Sequence, residues 1–392
     1  MEPAHTNSTS KSEHRTNWFL QCVNFFSEMF SGLVKTAAAV GIGAVVAQWS
    51  AMDTKSSSIL LASLGTAGVA LTVVSRGRML KAHGKAVFIT GCDSGFGNAL
   101  AKQLDKQGMR VFAGCLFADG PGAQEMKESC SDRLEVIQLD ITKDDQVKNA
   151  EAEVRKRLNG EDLWGLVNNA GIMSFCDVEV TPMKEWQRLF DINCLGQVRM
   201  IQAFLPTLRR SKGRIVNIAS THGRSFMPLY GAYCASKAGV VMYSECLRLE
   251  LMKWGMNVSI IEPSGFATNL VANSGRQKAY FQEINDNLTE EQKLFYNKDY
   301  FDTVVQRFYY PKKRHVSEDL PTDFSPVTNA ITHALLSTKP QVHYVAGRGG
   351  GFLVSLGTTF PYFLSNRILL DVVEINKAKG LQPTVEQVYG KK

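Results

Sequence analysis

Tyr233 and Lys237 are the two side chains of this 392-residue sequence whose types and spacing most directly suggest proton transfer. Residues four positions apart share one face of a helix, so the lysine ammonium is expected near the tyrosine. A nearby positive charge favours phenolate and lowers a tyrosine pKa that is otherwise about 10. The pair therefore predicts a general acid/base at neutral pH. Because the Y-x-x-x-K pattern is common by chance, the prediction depends on its surroundings.

Two polar residues precede the pair. Ser220 ends the predicted strand Gly213–Ile218, where its hydroxyl can hydrogen-bond the reacting oxygen atom. Asn193 lies in a predicted helix, Trp186–Phe204, and a lone asparagine in a helix usually faces solvent or marks a kink. With Tyr233 and Lys237, Ser220 forms the catalytic set that the residues themselves suggest.

A glycine-rich turn with the spacing G-x-x-x-G-x-G follows the first predicted strand and opens a helix. Such a turn lets the backbone approach a pyrophosphate, which rests on the positive N-terminus of the helix. Glycine also serves tight turns, but the position between strand and helix favours a nucleotide site. The predicted cofactor-binding residues of the turn are Gly91, Ser94, Gly95, Phe96 and Gly97.

Later strand ends extend the predicted cofactor site. The second strand ends at Leu116 with neither an acidic residue nor an arginine, which favours NAD over NADP. Asp140, after the third strand, is placed either to contact an adenine edge or to cap a helix. Asn168, Ala170 and Gly171, after the fourth strand, are small or amide residues that can touch the cofactor without blocking it.

Strands and helices alternate from Lys85 to Thr268, which predicts an α/β fold: a Rossmann-type doubly wound parallel sheet with helices on both faces. The segment after Thr268 is polar and aromatic and predicts a helical lid. Besides Gly213–Ile218, the predicted strands are Ala86–Thr90, Val111–Cys115, Leu134–Leu139, Leu163–Val167 and Asn257–Ile261.

The N-terminal part contains two apolar runs, Leu33–Trp49 and Ser58–Val74, each near the lower length limit for crossing a bilayer. Basic residues follow the second run and predict a cytosolic catalytic domain. The alternatives are helices packed on a soluble domain, or a cleaved targeting segment. The predicted regions are a polar tail at 1–30, a two-helix membrane anchor at 31–80, the Rossmann-type domain at 81–345 with its lid at about 271–325, and an apolar segment and tail at 346–392.

Taken together and in this order, the motifs T-G-x-x-x-G-x-G, N-N-A-G, Asn193, Ser220 and Y-x-x-x-K resemble the short-chain dehydrogenase/reductase family. The resemblance implies that Tyr233 is the acid/base, that Lys237 lowers its pKa and holds the nicotinamide ribose, and that Asn193 assists a proton relay. It also implies that Ser220 orients the substrate oxygen and that Thr268 meets the carboxamide. The family commonly has Pro-Gly after the sixth strand, whereas this chain has Pro263-Ser264-Gly265.

Further core segments resemble the branch that holds hydroxysteroid, retinol and D-3-hydroxybutyrate dehydrogenases. They are Val111–Leu116, Leu163–Val167 and Ser211–Arg214. That branch generally prefers NAD and is often membrane-associated.

The leading hypothesis is an NAD-dependent enzyme of steroid or lipid metabolism. Its expected substrate is a lipophilic secondary alcohol, a steroid or retinoid, and its expected partner is membrane lipid. Phe226, Met227 and Leu229 supply candidate apolar pocket walls. The endoplasmic reticulum membrane is the expected location, with the mitochondrial membrane as the alternative. A hydroxy-acid substrate is the runner-up and would need a cation, for which His222 and Arg224 are candidates. A catalytically inactive nucleotide-binding scaffold is the third hypothesis.

Composition excludes other classes of function. The net charge of +7 is spread along the chain, which disfavours nucleic-acid binding. The eight cysteines contain no C-x-x-C pair and predict free thiols rather than a disulfide framework or a metal site. The oligomeric state stays open, with a homodimer as one alternative.

Overall fold

The structure, a computed structural model, describes residues 77–268, 274–296, 300–301 and 320–373. The predicted polar tail and almost all of the predicted membrane anchor lie outside these ranges, as does the chain after residue 373. Among the helices within them, none has both the length and the apolar character that a bilayer crossing requires.

Parallel strands form the centre of the domain. They are β1 Ala86–Thr90, β2 Arg110–Cys115, β3 Leu134–Gln138, β4 Leu163–Asn168, β5 Arg214–Ile218, β6 Asn257–Pro263 and β7 His343–Ala346. They pair in the order β3-β2-β1-β4-β5-β6-β7, and every pair is parallel. The prediction of a parallel sheet is confirmed, and β7 is a strand that the sequence pattern did not indicate.

Helices connect the strands and cover the sheet. They are α1 Gly95–Lys106, α2 Pro121–Ser129, α3 Asp144–Leu158, α4 Met183–Phe190, α5 Gly196–Arg210, α6 Gly231–Met252, α7 Ser274–Asn287, α8 Glu290–Phe295, α9 Ser325–Leu336, α10 Gly350–Thr358 and α11 Tyr362–Val373.

The core has two layers because successive side chains of a strand point to opposite faces of the sheet. In β1, Val87 and Ile89 pack in one cluster with residues of α1 and α9, such as Leu104 and Ile331. Phe88 points the other way, into a cluster with residues of α3 and α5 that includes Phe204. The alternation along β1 therefore fixes which helices cover each face.

β1 lies between β2 and β4, so the chain runs outward from it in two directions. In sheets of this kind, a crevice opens at the carboxyl ends of the strands where the order reverses. The predicted site residues follow β1, β4 and β5, and the topology therefore brings them to one edge of the sheet.

One predicted element differs from the structure, and the form of another was left open by the sequence. The predicted helix Trp186–Phe204 is interrupted by a π-helical turn, Asp191–Leu195, between α4 and α5. The predicted apolar C-terminal segment forms two short helices, α10 and α11, because Pro361 cannot continue the first helix. The hydroxyl of Ser365 donates to the carbonyl of Leu356 at 2.7 Å and joins the two.

Candidate active site

Tyr233 and Lys237 lie on one face of α6 and are almost fully buried, with exposed fractions of 6% and 4%. The ammonium of Lys237 donates to the carbonyl oxygen of Ile218 at 3.0 Å, at the end of β5. It lies 6.0 Å from the centre of the Tyr233 ring. The cation is therefore held near the phenol ring and against the sheet edge.

Burial is the largest influence on the pKa values of Tyr233 and Lys237. It raises the pKa of Tyr233 to about 12, and a hydrogen bond with Ser220 opposes part of that rise. Burial also lowers the pKa of Lys237 to about 8. The net shift of the Tyr233 pKa is therefore upward, because loss of water disfavours the phenolate more than its surroundings favour it. The phenol is consequently a proton donor at neutral pH. A lowering effect of Lys237 on this pKa stays a prediction.

Ser220 follows β5 in extended conformation and caps a short 3₁₀ turn, Thr221–Gly223. Its oxygen accepts a hydrogen bond from the backbone N–H of His222 at 3.2 Å. Its hydroxyl lies 3.5 Å from the carbonyl oxygen of Pro263 at the end of β6. With the hydrogen bond between Ser220 and Tyr233, the structure brings the predicted serine and tyrosine together.

Asn193 lies in the π-helical turn and has no exposed surface. Its side-chain oxygen accepts from the N–H of Ile172 at 2.8 Å, and its amide donates to the carbonyl of Ile172 at 2.9 Å and to the Ser236 hydroxyl at 3.0 Å. Gly171 lies close to both Asn193 and Lys237. If Gly171 carried a side chain, its Cβ atom would lie 3.2 Å from the Asn193 oxygen and 3.5 Å from the Lys237 nitrogen. Asn193 thus marks a kink and joins the loop after β4 to α6.

The backbone conformation and the close packing of the glycine-rich turn disfavour side chains at its glycine positions. Gly91 and Gly95 have positive φ angles of 70° and 60°, which L-residues rarely adopt. A Cβ on Gly91 would lie 2.7 Å from the Cα of Ala170, and one on Gly97 would lie 2.6 Å from the side-chain nitrogen of Asn169. The turn is therefore packed against the loop after β4.

The N-terminus of α1 is suited to an anion. Ser94 makes no side-chain cap, and the first turn contains no acidic residue. The positive end of the helix dipole is thus left without a local negative partner. The ring of Phe96 packs edge-to-face against that of Phe266, with 5.2 Å between the ring centroids. Thr268 lies beside the turn, 3.6 Å from a Cβ added to Gly95.

A cavity of about 600 Å³ lies beside the glycine turn. The charged side chains in its lining are two acidic ones, Asp93 and Asp119. The Asp93 carboxylate accepts from the backbone N–H groups of Leu116 at 3.0 Å and Phe117 at 2.9 Å, just after β2. The cavity and the α1 N-terminus together fit a dinucleotide whose pyrophosphate lies at the helix and whose adenosine lies beyond β2.

Two predicted cofactor contacts, Asn168 and Asp140, lie outside the lining of this cavity. Asn168 has no exposed surface, and its amide donates to the Asn217 side chain at 2.8 Å inside the sheet. Its contact with the cofactor stays a prediction. The half-buried Asp140 accepts from the N–H and the hydroxyl of Thr142 at 2.9 and 2.8 Å, and it does not cap α3. Its adenine contact stays a prediction.

Asn169 is a site residue that the sequence analysis missed. Its amide donates to the carbonyls of Thr90 at 2.9 Å and Gly91 at 3.1 Å, and its N–H donates to the Thr90 hydroxyl at 3.0 Å. These bonds hold the glycine turn against the loop after β4. The available signal was its position as the first residue after β4, where a side chain leaves the sheet for the crevice.

Apolar and aromatic groups surround the phenol of Tyr233. Leu189 and Ala232 pack with it, and further contacts come from Ile172, Met173, Trp186 and Tyr230. A second cluster joins the loop after β4 to the predicted lid; its buried members include Phe175, Leu229, Phe281 and Ile284. The rings of Phe175 and Tyr230 stack at 5.7 Å and connect the two clusters. The surroundings of the proton donor are therefore mostly apolar.

Arg224 and His222 are the two side chains predicted to supply a positive charge near Ser220. Arg224 forms a two-point ion pair with the fully buried Glu262, at 2.6 and 2.5 Å. Burial lowers the pKa of His222 to about 4, so this side chain is neutral at pH 7. Neither residue offers a free positive charge to a substrate.

Comparison with known proteins agrees with this geometry. The family model described as short chain dehydrogenase matches residues 85–279. The chain is 40% identical to human 17-beta-hydroxysteroid dehydrogenase type 2 over 74% of each chain. It is 41% identical to the bovine mitochondrial D-beta-hydroxybutyrate dehydrogenase over 73% of this chain and 84% of the relative. It is 42% identical to rat retinol dehydrogenase 7 over 73% of this chain and 87% of the relative.

A solved structure gives the same fold. The short-chain dehydrogenase from Streptomyces avermitilis matches 75% of this chain and 97% of its own, with a TM-score of 0.56 and 26% identity. The chain therefore belongs to the short-chain dehydrogenase family and is an alcohol oxidoreductase.

Proposed function

We propose that the protein is an NAD-dependent dehydrogenase whose substrate is a neutral, lipophilic secondary alcohol or the corresponding ketone, of the steroid or retinoid class. The observation that most supports this substrate class concerns the two basic side chains that closely follow Ser220 in the part of the chain that the structure describes, neither of which offers a free positive charge. A hydroxy acid would bring a carboxylate, which needs a charged hydrogen-bonding partner in a site without water. Arg224 is paired with Glu262, and His222 is neutral at pH 7.

The apolar lining supports the same class. Ile172, Met173 and Trp186 pack around the buried Tyr233, and an aromatic stack leads outward through Tyr230 and Phe175. A ring system of a steroid or a polyene gains free energy from leaving water for such a lining, at about 25 cal/mol per Å². Relatives named as steroid and retinol dehydrogenases add to this support.

Each of the four candidate catalytic side chains has a separate role in the proposed reaction. A bound nicotinamide cofactor would supply the hydride chemistry at the substrate carbon. In ketone reduction, Tyr233 donates its phenolic proton to the substrate oxygen, since a pKa of about 12 keeps it protonated. Ser220 hydrogen-bonds the same oxygen and orients it. Lys237 would contact the nicotinamide ribose and, with Asn193, assist a proton relay to Tyr233; both side chains lie near Gly171, which supports a shared role.

NAD is the proposed cofactor. Asp93 and Asp119 line the cavity beyond β2. The Asp93 carboxylate would repel the 2′-phosphate of NADP, whereas Asp119 is exposed and paired with Lys127 at 3.6 Å. An adenosine ribose with free hydroxyls brings no such charge. Gly91, Gly95 and Gly97 cradle the pyrophosphate, with Ser94 and the Phe96 backbone at the helix N-terminus. Ala170, Gly171 and Thr268 line the nicotinamide half.

Membrane attachment belongs to the same proposal. The enzyme would reach lipophilic substrates from the endoplasmic reticulum membrane, with its catalytic domain in the cytosol. Tyr362 and Phe363 at the start of α11 support a lipid-facing surface, because 74% and 78% of their surface is exposed. The test is alkaline extraction of membranes from cells that express the full chain, followed by protease treatment of sealed microsomes; release of the protein by extraction would refute attachment.

The substrate class is tested with membrane-bound full-length enzyme. kcat/KM is measured for a hydroxysteroid, retinol and D-3-hydroxybutyrate with NAD and with NADP. We expect turnover of a steroid or retinol with NAD and little or none of the hydroxy acid. Turnover of 3-hydroxybutyrate well above that of both lipophilic alcohols would refute the proposed substrate class.

A further inference from the structure

The turn that holds Ser220 against Tyr233 is internally regular but short. The N–H of Gly223 donates to the carbonyl of Ser220 at 2.9 Å, and the N–H of Ser225 donates to the carbonyl of Thr221 at 2.9 Å. These bonds fix the shape of the turn. They do not fix where the turn lies over the sheet, which requires contacts to other elements.

A buried carboxylate supplies such contacts. Glu262, on β6, has no exposed surface, and it accepts both arms of the Arg224 guanidinium at 2.6 and 2.5 Å. The next residue along β6 is Pro263, whose carbonyl lies 3.5 Å from the Ser220 hydroxyl. The ion pair therefore joins the end of the turn to the strand end that faces the serine.

Two further elements meet the same carboxylate. His343, the first residue of β7, places Nδ1 3.2 Å from Glu262 and Nε2 2.7 Å from Glu245. Glu245 belongs to α6, the helix that carries Tyr233, and is itself paired with Arg248 at 2.8 Å. The opposite side of the turn is closed by α10, where a Cβ on Gly357 would clash with the Arg224 carbonyl.

We propose that Glu262 is a positioning residue for the reaction: through Arg224 and His343 it holds the turn after Ser220 in register with β6, β7 and α6. A carboxylate in this position is costly to bury, and its two-point pairing with Arg224 fixes orientation as well as distance. Displacement of the turn by about 1 Å would weaken the hydrogen bond of Ser220 to the reacting oxygen without disturbing the cofactor cavity beyond β2. The inference rests on the proposed dehydrogenase function.

The test compares two double variants. In the first, Arg224 and Glu262 are both replaced by methionine, and the second is a control at another ion pair. Replacing both members of a buried ion pair with apolar residues of similar volume usually preserves folding, whereas removing one leaves an unpaired charge. The control is Arg110→Met with Glu135→Met, a partly buried pair at 2.9 Å that joins β2 to β3. Folding is checked by circular dichroism and thermal unfolding.

We expect the Arg224/Glu262 double variant to lose about 10- to 100-fold in kcat, with the Kd for NAD unchanged. The control should keep kcat within about twofold of the wild-type value. Wild-type kcat in the Arg224/Glu262 variant, or an equal loss in the control, would overturn the proposal, because the pair would then serve stability alone.

Hydrogen exchange gives a measure that needs no substrate. The amides of Gly223, Arg224 and Ser225 should exchange about tenfold faster in the Arg224/Glu262 variant than in the wild type or the control. Unchanged exchange at these amides would overturn the inference whatever the substrate is. If the wild-type enzyme turned over none of the tested alcohols, the proposed substrate class would fail, and exchange alone would decide whether Glu262 holds the turn.

Discussion

The ammonium of Lys237 lies 6.0 Å from the centre of the Tyr233 ring and binds the carbonyl of Ile218 at 3.0 Å. The two residues are thus held by α6 and the end of β5 rather than by each other. Burial moves both pKa values toward the neutral forms, Tyr233 upward to about 12 and Lys237 downward to about 8. The site without a cofactor is therefore set to donate a proton from the phenol.

Lys237 should make folding stability increase with pH in the cofactor-free protein. Its pKa is lower in the folded state, about 8, than its ordinary value of 10.5, so the unfolded chain binds more protons between these values. The contribution of Lys237 to the free energy of unfolding should then rise between pH 8 and 10.5, with a slope of up to about 1.4 kcal/mol per pH unit. Buried thiols such as Cys115 and Cys176, whose pKa values are raised to about 12, contribute with the opposite sign above pH 9. The difference in free energy of unfolding between the wild type and Lys237→Met, measured in denaturant at each pH, should therefore grow in favour of the wild type from pH 8 to 10.5. A difference that does not change with pH would contradict this assignment.

His343 should have the opposite effect on stability. Hydrogen bonding to Glu262 raises the pKa of His343 above its ordinary value of 6.5, so the folded state binds more protons. The stabilisation is complete below pH 6.5 and is lost as the pH rises through the raised value. His343→Gln should therefore lower stability more at pH 5.5 than at pH 8.5. Equal losses of stability at both pH values would show that the positive charge of His343 does not stabilise the folded state.

Gly97→Ala should weaken dinucleotide binding. The added methyl group has no room beside the Gly91 carbonyl and the Asn169 amide, so the glycine turn must move. We expect the Kd for NAD to rise at least tenfold and the free energy of unfolding to fall by about 1–3 kcal/mol. Calorimetric titration with NAD and thermal unfolding measure the two effects separately. Wild-type affinity in a folded Gly97→Ala protein would exclude the turn as the pyrophosphate site.

Leu116→Arg should shift the cofactor preference toward NADP. Leu116 directly follows β2 and lines the cavity in which an adenosine ribose would lie. An arginine there offers a 2′-phosphate a two-point partner and offsets the Asp93 and Asp119 carboxylates. The ratio of kcat/KM for NADP to that for NAD should rise at least tenfold, whereas Leu116→Met should leave it unchanged. No change in the arginine variant would place the ribose elsewhere.

The sequence predicted the strands that frame the site because short apolar runs between turn residues are local signals. It also placed Ser220 at a strand end and Tyr233 with Lys237 on one helix face, since both depend on spacing alone. β7 was missed because His343–Ala346 is short and gives no distinct pattern. The anchor predicted at 31–80 falls almost wholly outside the described residues.

Side-chain partners could not be predicted, because they depend on contacts between distant segments. Arg224 was a candidate cation until the structure placed Glu262, 38 residues later, against it. Asn168 and Asn169 are adjacent and chemically identical, and only the end of β4 decides that the first is buried in the sheet. The Tyr233 pKa likewise depends on burial by side chains from several elements.

The most direct test of the account compares Tyr233→Phe with the wild-type enzyme, using NAD and the best lipophilic alcohol. Removal of the hydroxyl should lower kcat by at least about 10²-fold, the usual contribution of a general acid/base, because the phenol is the group proposed to exchange the proton with the substrate oxygen. The Kd for NAD and the thermal stability should remain close to wild type. Retention of wild-type kcat in Tyr233→Phe would contradict the assignment of Tyr233 as the proton-transfer residue.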